Sequence, residues 1–411
     1  MFLMNLFEIL IKTCYDANRK KGDGSMERIY LDHASTSFPK PELVLRAVYD
    51  YMSGMGVNIS RGCYASAYET QELVFETRQL ICDLFHGPDC RNVVFTKNVT
   101  ESLNVLIKGL LKPGDHVLVS SMEHNAVMRP LHQLSEAGVE VQVVPCEADG
   151  SLPLPRLEQA LAAKKTDLVV LTHGSNVCGT LLPIREAAAL AHRYGAFFVV
   201  DAAQTGGVFP IEMKAWDIDA VAFAGHKGLL GPQGIGGFLI TTEFSKQIEP
   251  LLAGGTGSRS HEETMPAFLP DRFEAGTQNL PGIMGLHAAL SYLEQETLAP
   301  IRAAKQQRTR ELLEGFAAID GVRLVGKPGL EGRTAVVSVD FKHMDNAEAA
   351  FLLESEYGIM TRCGLHCAPR AHQTLGTYPQ GTVRFAPGHT TTAEETAAAV
   401  KAVQAIAKAR P

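Results

Sequence analysis

The sequence lacks the basic surface that marks nucleic-acid-binding proteins. Its 411 residues carry a formal net charge of -7, and charges of both signs are mixed along the chain without a basic block. A protein that holds the phosphate backbone needs clustered Lys and Arg side chains. We therefore expect no nucleic-acid partner. With 45% hydrophobic residues, the chain can bury a large core.

The sequence also lacks paired cysteine motifs, because its eight cysteines include no C-x-x-C spacing. Scattered thiols in a long chain are typical of a reducing compartment, whereas disulfide scaffolds and zinc sites need paired spacing. We expect free thiols, a cytoplasmic location and no metal site. Two of the thiols, Cys363 and Cys367, lie four residues apart near the C-terminal end.

Residues 1–25 show neither a signal peptide nor a membrane anchor. The apolar run from Phe2 to Ile11 is interrupted by Glu8, is too short to cross a bilayer and follows no basic region. We therefore expect no membrane partner. Our hypothesis is that Met26 is the natural start, since the codons for the preceding residues would be purine-rich, as in a bacterial ribosome-binding site. The alternative is an amphipathic arm that covers part of the fold.

From Val93 onward, short apolar runs alternate with helical segments, which predicts an α/β fold with a mostly parallel sheet. In such sheets, ligands bind at the carboxyl ends of the strands. Beyond Ile283 long helical segments and shorter strands predict a smaller α+β domain. We expect a large domain over residues 46–284 and a small domain made of residues 26–45 with 285–411.

A lysine and an aspartate follow two of the predicted strands. The strand Asp219 to Phe223 is followed by Lys227, and Asp201 ends the strand that begins at Ala196. These are the groups of a pyridoxal phosphate (PLP) enzyme, where a lysine forms a Schiff base with the cofactor aldehyde and a carboxylate keeps the pyridine nitrogen protonated. Taken singly, a surface lysine and a helix-capping aspartate are the alternatives.

Candidate phosphate and ring contacts lie after the other strands. Asn98 and Glu101 have capping-box spacing at a predicted helix start, so the free amides and the Thr100 hydroxyl suit a phosphate, and His226 offers a second donor. His124 follows another strand, where it can stack on a pyridine ring or cap the next helix. No G-x-G-x-x-G follows the first strand, which argues against a dinucleotide.

From Tyr30 onward, the chain resembles the class V aminotransferase-fold PLP enzymes, and specifically the cysteine desulfurases of the selenocysteine lyase-like branch. The resemblance implies fold type I of the PLP-dependent transferases, with a mostly parallel large domain and a smaller α+β domain. It depends on ordered motifs at Tyr30 to Thr36, Asn58 to Gly62, Glu123 to Asn125, Ser175 to Val177, Asp201 to Gln204, Gly225 to Lys227, Phe273 to Thr277 and Arg362 to Pro369.

The resemblance implies a set of cofactor contacts. Lys227 would form the Schiff base, and Asp201 would pair with the pyridinium nitrogen. The other contacts are Gln204 at the ring hydroxyl, His124 stacked on the ring, Asn176 beside it, and Thr100, His226 and Thr277 of the partner subunit around the phosphate. A residue supplied by a second subunit implies a homodimer.

The resemblance also assigns the substrate contacts and the nucleophile. Asn176, Arg362 and Arg384 would contact the substrate, with Arg384 holding its carboxylate in a bidentate pair. Cys367 would be the nucleophile, helped by the positive groups around it and by His124, because only a thiolate attacks sulfur. Cys363 would be a bystander or a secondary relay. Two positions depart from the family pattern, Ala224 in place of a hydroxyl residue and Thr390 in place of an asparagine.

The implied reaction removes sulfur from L-cysteine, giving L-alanine and a persulfide on Cys367 that passes to a protein sulfur acceptor. A selenocysteine lyase, another PLP-dependent C-S lyase or a class V aminotransferase would share nearly every residue. A noncatalytic sulfur carrier with the same fold is a third hypothesis, which Lys227, Asp201 and Cys367 oppose. The acceptor's pathway, such as iron-sulfur cluster assembly or tRNA thiolation, stays open.

Overall fold

The computed structural model describes residues 28–59 and 62–409 of the chain. The hypotheses about residues 1–25 therefore lie outside the described residues. Ser60 and Arg61, two members of the motif from Asn58 to Gly62, also lie outside them.

Twelve α-helices are numbered here in chain order within the described residues. They are α1 (Glu42–Asp50), α2 (Ala65–Leu84), α3 (Val99–Leu110), α4 (Asn125–Glu136), α5 (Leu154–Ala163), α6 (Ile184–Arg193), α7 (Thr242–Ser245), α8 (Leu280–Glu296), α9 (Leu298–Ala317), α10 (Asn346–Tyr357), α11 (Pro369–Thr374) and α12 (Ala393–Ala409). A π-helical turn over Tyr51–Met55 follows α1, and a 3-10 turn over Cys90–Asn92 precedes the first strand of the large sheet.

Thirteen strands of the described residues form three sheets. They are β1 (Ile29–Tyr30), β2 (Val93–Thr96), β3 (His116–Ser120), β4 (Glu140–Val144), β5 (Leu168–Thr172), β6 (Phe197–Asp201), β7 (Ala220–Ala224), β8 (Gly236–Ile240), β9 (Val322–Val325), β10 (Val337–Phe341), β11 (Ile359–Met360), β12 (Arg362–Gly364) and β13 (Thr382–Phe385).

The large sheet has seven strands in the order β2-β8-β7-β6-β5-β3-β4. All its neighbours pair in parallel except β8, which is antiparallel to both β2 and β7. This confirms the predicted mostly parallel sheet. Gly237 in β8 fits between its neighbours only as glycine, because a Cβ there would lie 2.4 Å from the Val94 carbonyl oxygen.

Helices cover both faces of the large sheet, so its strands are apolar on both sides. Successive residues of a strand point to opposite faces. Leu171, Val200 and Phe223 belong to one apolar cluster, whereas Val170 and Val199 belong to the other. Because both faces are buried, the polar residues of these strands collect at the strand ends.

A four-stranded antiparallel sheet in the order β12-β13-β10-β9 forms the second layer. It shares a third apolar cluster with α9, α10 and α12, in which Phe316 and Phe385 lie 4.8 Å apart between ring centroids. The N-terminal segment joins this region, since β1 pairs with β11 and Asp32 bridges to Ala386. The same segment also contacts the turn that carries Lys227, because the Ser37 N-H donates to the His226 carbonyl at 3.0 Å.

Along the described part of the chain, no helix is both long and apolar enough to cross a bilayer.

Candidate active site

Lys227 and Asp201 lie at the ends of neighbouring strands. Asp201 is the last residue of β6, and Lys227 lies in the turn that follows β7, its parallel neighbour. Asp201 is only 3% exposed, and burial raises the pKa of its carboxyl group, while the Ala203 N-H and Lys227 oppose that rise. The carboxylate is thus placed to pair with a buried positive charge.

The Lys227 amine lies in a partly buried and positively charged setting. Its pKa is lowered to about 8, mainly by burial and also by Arg384 and Arg362, while Asp201 opposes the fall. A larger fraction of neutral amine forms near neutral pH than for an exposed lysine, and the neutral amine is the nucleophile and the base.

His124 is the N-cap of α4, four residues after the end of β3. Its Nδ1 accepts the Ala126 N-H at 2.9 Å, so the neutral ring carries its proton on Nε2. Its pKa is lowered to about 4, mainly by burial and also by Lys227 and nearby arginines. The helix-capping interpretation is therefore confirmed, and the contact with a pyridine ring stays a prediction.

Glu123 is a buried carboxyl group to which the sequence gave no role beyond its motif. Its Oε1 accepts the Ser120 hydroxyl at 2.6 Å, and both its oxygens accept the Thr172 N-H at 3.0 Å. Its pKa is raised to about 8, mainly by burial and also by Asp201, while the hydrogen bonds from Ser120 and Thr172 oppose the rise. Glu123 thus links the ends of β3 and β5. The Glu-His-Asn motif was the only sequence signal for it.

The proposed phosphate donors lie at the same edge. The Asn98 side chain accepts the Glu101 N-H at 3.0 Å, which confirms the helix cap. The Glu101 carboxylate accepts the N-H of Lys97 and not that of Asn98. Thr100 is exposed in the first turn of α3. His226 keeps its Nδ1 buried without a hydrogen-bond partner among the described residues. Ala224 is buried and offers no hydroxyl at this edge.

Gln204 reaches from the turn after β6 to the segment after β1. Its amide nitrogen donates to the Ala34 carbonyl at 3.0 Å. Gln204 and Lys227 line a small cavity together with His33 and Lys305. The glutamine therefore lies beside the amine, where the resemblance places a ring contact.

Arg362 and Arg384 face each other across two antiparallel strands of the small sheet. Arg384 is 2% exposed and donates to Asp32 Oδ1 and to Ser35 Oγ, both at 2.7 Å. Arg362 donates to the same Ser35 hydroxyl at 2.9 Å. Two guanidinium groups on one face make a strong site for a carboxylate.

Asn176 connects the arginine site to the cysteine loop. Its side-chain Nδ2 donates to the His366 backbone carbonyl at 2.6 Å, and the Asn176 backbone carbonyl accepts a hydrogen bond from Arg384 Nη1 at 3.0 Å. The segment after β5 thereby holds both Arg384 and the residue before Cys367.

Cys367 is exposed on the loop between β12 and α11. His366 and Cys367 both have left-handed backbone, with φ of 47° and 57°, which non-glycine residues adopt only at some cost. The Cys367 carbonyl accepts the Asn125 N-H at 2.7 Å, and His366 is buried with Nε2 3.0 Å from Thr382 Oγ1. The thiol therefore projects from a loop that is tied down on both sides.

Cys363 lies on the other face of the small sheet. It pairs with Val383, while its neighbour Arg362 pairs with Arg384. Because side chains alternate along a strand, Cys363 points with the apolar Val383 and away from the arginines. The two thiols do not share a site.

Thr277 is exposed and lines a surface groove with Thr96 and Lys97, whereas Lys227 lines a different cavity of the same chain. The loop before it is fixed by Glu274, which accepts two hydrogen bonds from Arg78 at 2.7 Å and the Phe95 N-H at 2.7 Å. Arg78 also lies over the Phe95 ring, 4.5 Å from its centroid. The sequence did not reveal this buried ion pair.

The donor set fits PLP. The buried Asp201 carboxylate uses one oxygen for the Ala203 N-H, and its second oxygen makes no hydrogen bond within the described residues. His226 Nδ1 is similarly unpaired. An acceptor for a pyridinium N-H and a donor for a phosphate therefore flank the Lys227 amine, which is the arrangement that an aldehyde cofactor with these groups needs.

Comparison of the sequence with known protein families identifies the family of this chain. Residues 29–398 match the class-V aminotransferase family, and the chain belongs to this family of PLP-dependent enzymes.

The relatives narrow the assignment to the cysteine desulfurases. A probable cysteine desulfurase of Methanothermobacter thermautotrophicus is 34% identical over 90% of this chain and 92% of its own length. A cysteine desulfurase of Haloferax volcanii is 32% identical over 86% of this chain and 84% of its own. The solved apo cysteine desulfurase of Thermococcus onnurineus has a TM-score of 0.87 and 31% identity, covering 93% and 95% of the two chains. The resemblance read from the motifs is confirmed, and so is the fold.

Proposed function

We propose that the chain removes sulfur from L-cysteine as a PLP-dependent cysteine desulfurase, with Cys367 as the sulfur-accepting nucleophile. One observation carries the assignment of the nucleophile. Cys367 is an exposed thiol on a left-handed turn, and hydrogen bonds join its loop to Asn125 after β3 and to Asn176 after β5. These residues share the sheet edge with Lys227 and Asp201.

The residues around Lys227 are suited to hold the cofactor. Lys227 would bind the aldehyde, Asp201 would accept the pyridinium N-H, and Thr100 and His226 would donate to the phosphate. When bound, PLP supplies a positively charged ring that accepts the electrons left on the substrate carbon. Gln204 and the Nε2-protonated His124 are placed to contact the ring.

The arginine pair would bind the substrate carboxylate. Arg384 and Arg362 share Ser35, and Arg384 also pairs with Asp32. A substrate carboxylate can take the place of these acceptors at the fork. The substrate amine and α-carbon would then face Lys227, whose amine has a pKa near 8 and can take the α-proton.

Cys367 performs the sulfur transfer. Its thiolate attacks the sulfur of bound cysteine, so an S-S bond forms to Sγ and the carbon-sulfur bond breaks. The electron pair of the broken bond stays on the carbon that carried the sulfur, and this carbon takes up a proton on the way to alanine. Only the thiolate form of Cys367 is nucleophilic.

An assay of L-cysteine turnover tests the function. With a reducing thiol present, the protein should form alanine and sulfide in equal amounts, and Cys367→Ser should form neither at the parental rate. Equal turnover of L-cysteine by the parent and Cys367→Ser would contradict the proposed nucleophile. Alanine formed from selenocysteine alone would instead support a selenocysteine lyase.

The assembly and location are also proposals. The position of Thr277 away from Lys227 within one chain supports a homodimer in which Thr277 reaches the phosphate of the partner subunit. The chain would act in the cytoplasm and pass its sulfur to a protein acceptor. The division into a domain of residues 46–284 and one of 26–45 with 285–411 also stays a proposal, with α8 running across the boundary.

A further inference from the structure

The segment that carries Cys367 is free of acidic residues. The chain has 45 Asp and Glu residues, but none lies between Tyr357 and Ala393. The same segment contains Arg362, Arg370 and Arg384. Around the nucleophile the chain therefore reverses the sign of its net charge of -7.

A fourth arginine reaches the same place from another element. The Asn125 N-H donates to the Cys367 carbonyl at 2.7 Å, which brings the start of α4 to the cysteine loop. Arg129 lies four residues after Asn125, on the same helix face. Arg129 and Arg362 are also among the charges that act on His124, beside burial and Lys227.

Arg129 and Arg370 have no acidic partner in the part of the chain that the structure describes. Arg129 and Arg370 are exposed, and within the described residues neither forms an ion pair or a side-chain hydrogen bond. Two acids of the site are already engaged, because Asp32 is bound to Arg384 and Glu123 is buried with a pKa of about 8. Within the described residues, no acidic side chain therefore neutralises the positive charge of Arg129 and Arg370.

We infer that Cys367 is surrounded by a basic rim, made of Arg129, Arg362 and Arg370, that docks a protein sulfur acceptor with acidic side chains beside its receiving cysteine. The inference rests on the proposed function, because it needs a persulfide on Cys367. Complementary charge around a reactive residue orients the partner and speeds its encounter. The rim is small and the whole chain is acidic, which favours a protein partner over nucleic acid.

The transfer is balanced without an added oxidant or reductant. The acceptor thiolate attacks the outer sulfur of the persulfide, so a new S-S bond forms on the acceptor. The bond between that sulfur and Cys367 Sγ breaks, and its electron pair returns to Cys367 as a thiolate. Arg129 and Arg370 then face both the leaving thiolate and the acidic side chains of the partner.

Two synthetic cysteine peptides of equal length test the rim. One carries acidic residues around its cysteine and the other carries lysines, and each is offered to protein loaded with L-cysteine. At low salt the acidic peptide should gain sulfur roughly tenfold faster, as expected for steering by several charges, and the ratio should fall as salt screens them. Mass spectrometry of both peptides measures the ratio.

Single substitutions locate the effect. Arg129→Gln and Arg370→Gln should each lower the ratio between the peptides about threefold, a loss in the range of one exposed charge pair. Lys112→Gln is the matched control, since Lys112 follows α3 at the opposite edge of the sheet and should leave the ratio unchanged.

The outcomes separate the two proposals. Equal rates for both peptides, or a preference for the lysine peptide, would overturn the rim while a persulfide on Cys367 still supports the desulfurase. Tighter binding of a single-stranded oligonucleotide than of the acidic peptide, lost in the arginine variants, would replace the protein acceptor with nucleic acid. No persulfide on Cys367 would overturn the function and the rim together.

Discussion

At the residue scale, opposing effects of burial and neighbouring charges determine the pKa of the Lys227 amine. Burial and the two arginines lower its pKa, and Asp201 raises it. In the protein without cofactor, labelling of Lys227 by an amine-reactive reagent should therefore rise with a midpoint near pH 8. Mass spectrometry of the labelled peptide across a pH series measures this, with the exposed Lys165 as internal control. A midpoint for Lys227 near the ordinary value of 10.5 would contradict the proposed setting.

Glu123 gives a second prediction at this scale, a fall in stability with rising pH. Its pKa is raised from 4.5 to about 8 on folding, so the folded chain holds a proton that the unfolded chain releases. Between these values the folded state binds more protons, and stability must decrease as pH rises. Asp201 acts in the same direction, because burial raises its pKa too.

Glu123→Gln isolates this effect, since the amide keeps an oxygen for Ser120 and cannot ionise. Urea unfolding of the protein without cofactor should show a flatter loss of stability from about pH 5 to pH 8 in the variant than in the parent, given the two pKa values. Identical slopes would mean that Glu123 is ionised in the folded chain.

The sequence predicted individual site residues better than their partners. Lys227, Asp201 and His124 follow strands that are recognisable as apolar runs, so their place at the sheet edge could be inferred. The Ser35 hydroxyl between two arginines could not, because it comes from a segment far away in the chain. The same holds for Asn176 and the His366 carbonyl.

At the scale of elements, the two strands predicted before Asp201 and Lys227 match β6 and β7 to within one residue. Strands buried on both faces are continuous apolar runs, and such runs have clear ends. The helices were less exact, since long helical segments are expected only beyond Ile283, whereas α8 begins at Leu280. Its first turn contains Pro281 after an Asn279 cap, a start signal that the apolar pattern alone does not give.

The Arg78-Glu274 pair fixes α2, β2 and the loop that carries Thr277. Both side chains are under 10% exposed. Arg78→Leu should destabilise the protein by about 3–5 kcal/mol, because removing one partner leaves a buried charge without compensation. Chemical unfolding measures the change, and Arg193→Leu, which removes an exposed partner of Glu158, should have little effect.

The double variant Arg78→Leu with Glu274→Leu completes this test. It should recover a large part of the lost stability, since two apolar side chains of similar size remove the charge altogether. A double variant that is less stable than Arg78→Leu by the full cost of a second deletion would show that the two residues act independently.

At the scale of the whole molecule, the site is built where two sheets meet. The large sheet supplies Lys227, Asp201 and His124, and the small sheet supplies the arginines and the cysteine loop. The N-terminal segment after β1 joins them through Ala34 and Ser35. Local sequence patterns do not predict that the two sheets form one site. Only the motifs of the family resemblance indicated it.

The central claim is that Cys367, and not Cys363, receives the sulfur. The most direct measurement is mass spectrometry of the peptide containing both residues after a brief exposure of the holoenzyme to L-cysteine. We predict one additional sulfur on Cys367, retained in Cys363→Ser and absent in Cys367→Ser, because only Cys367 projects at the edge shared with Lys227. Additional sulfur on Cys363 alone would contradict the account.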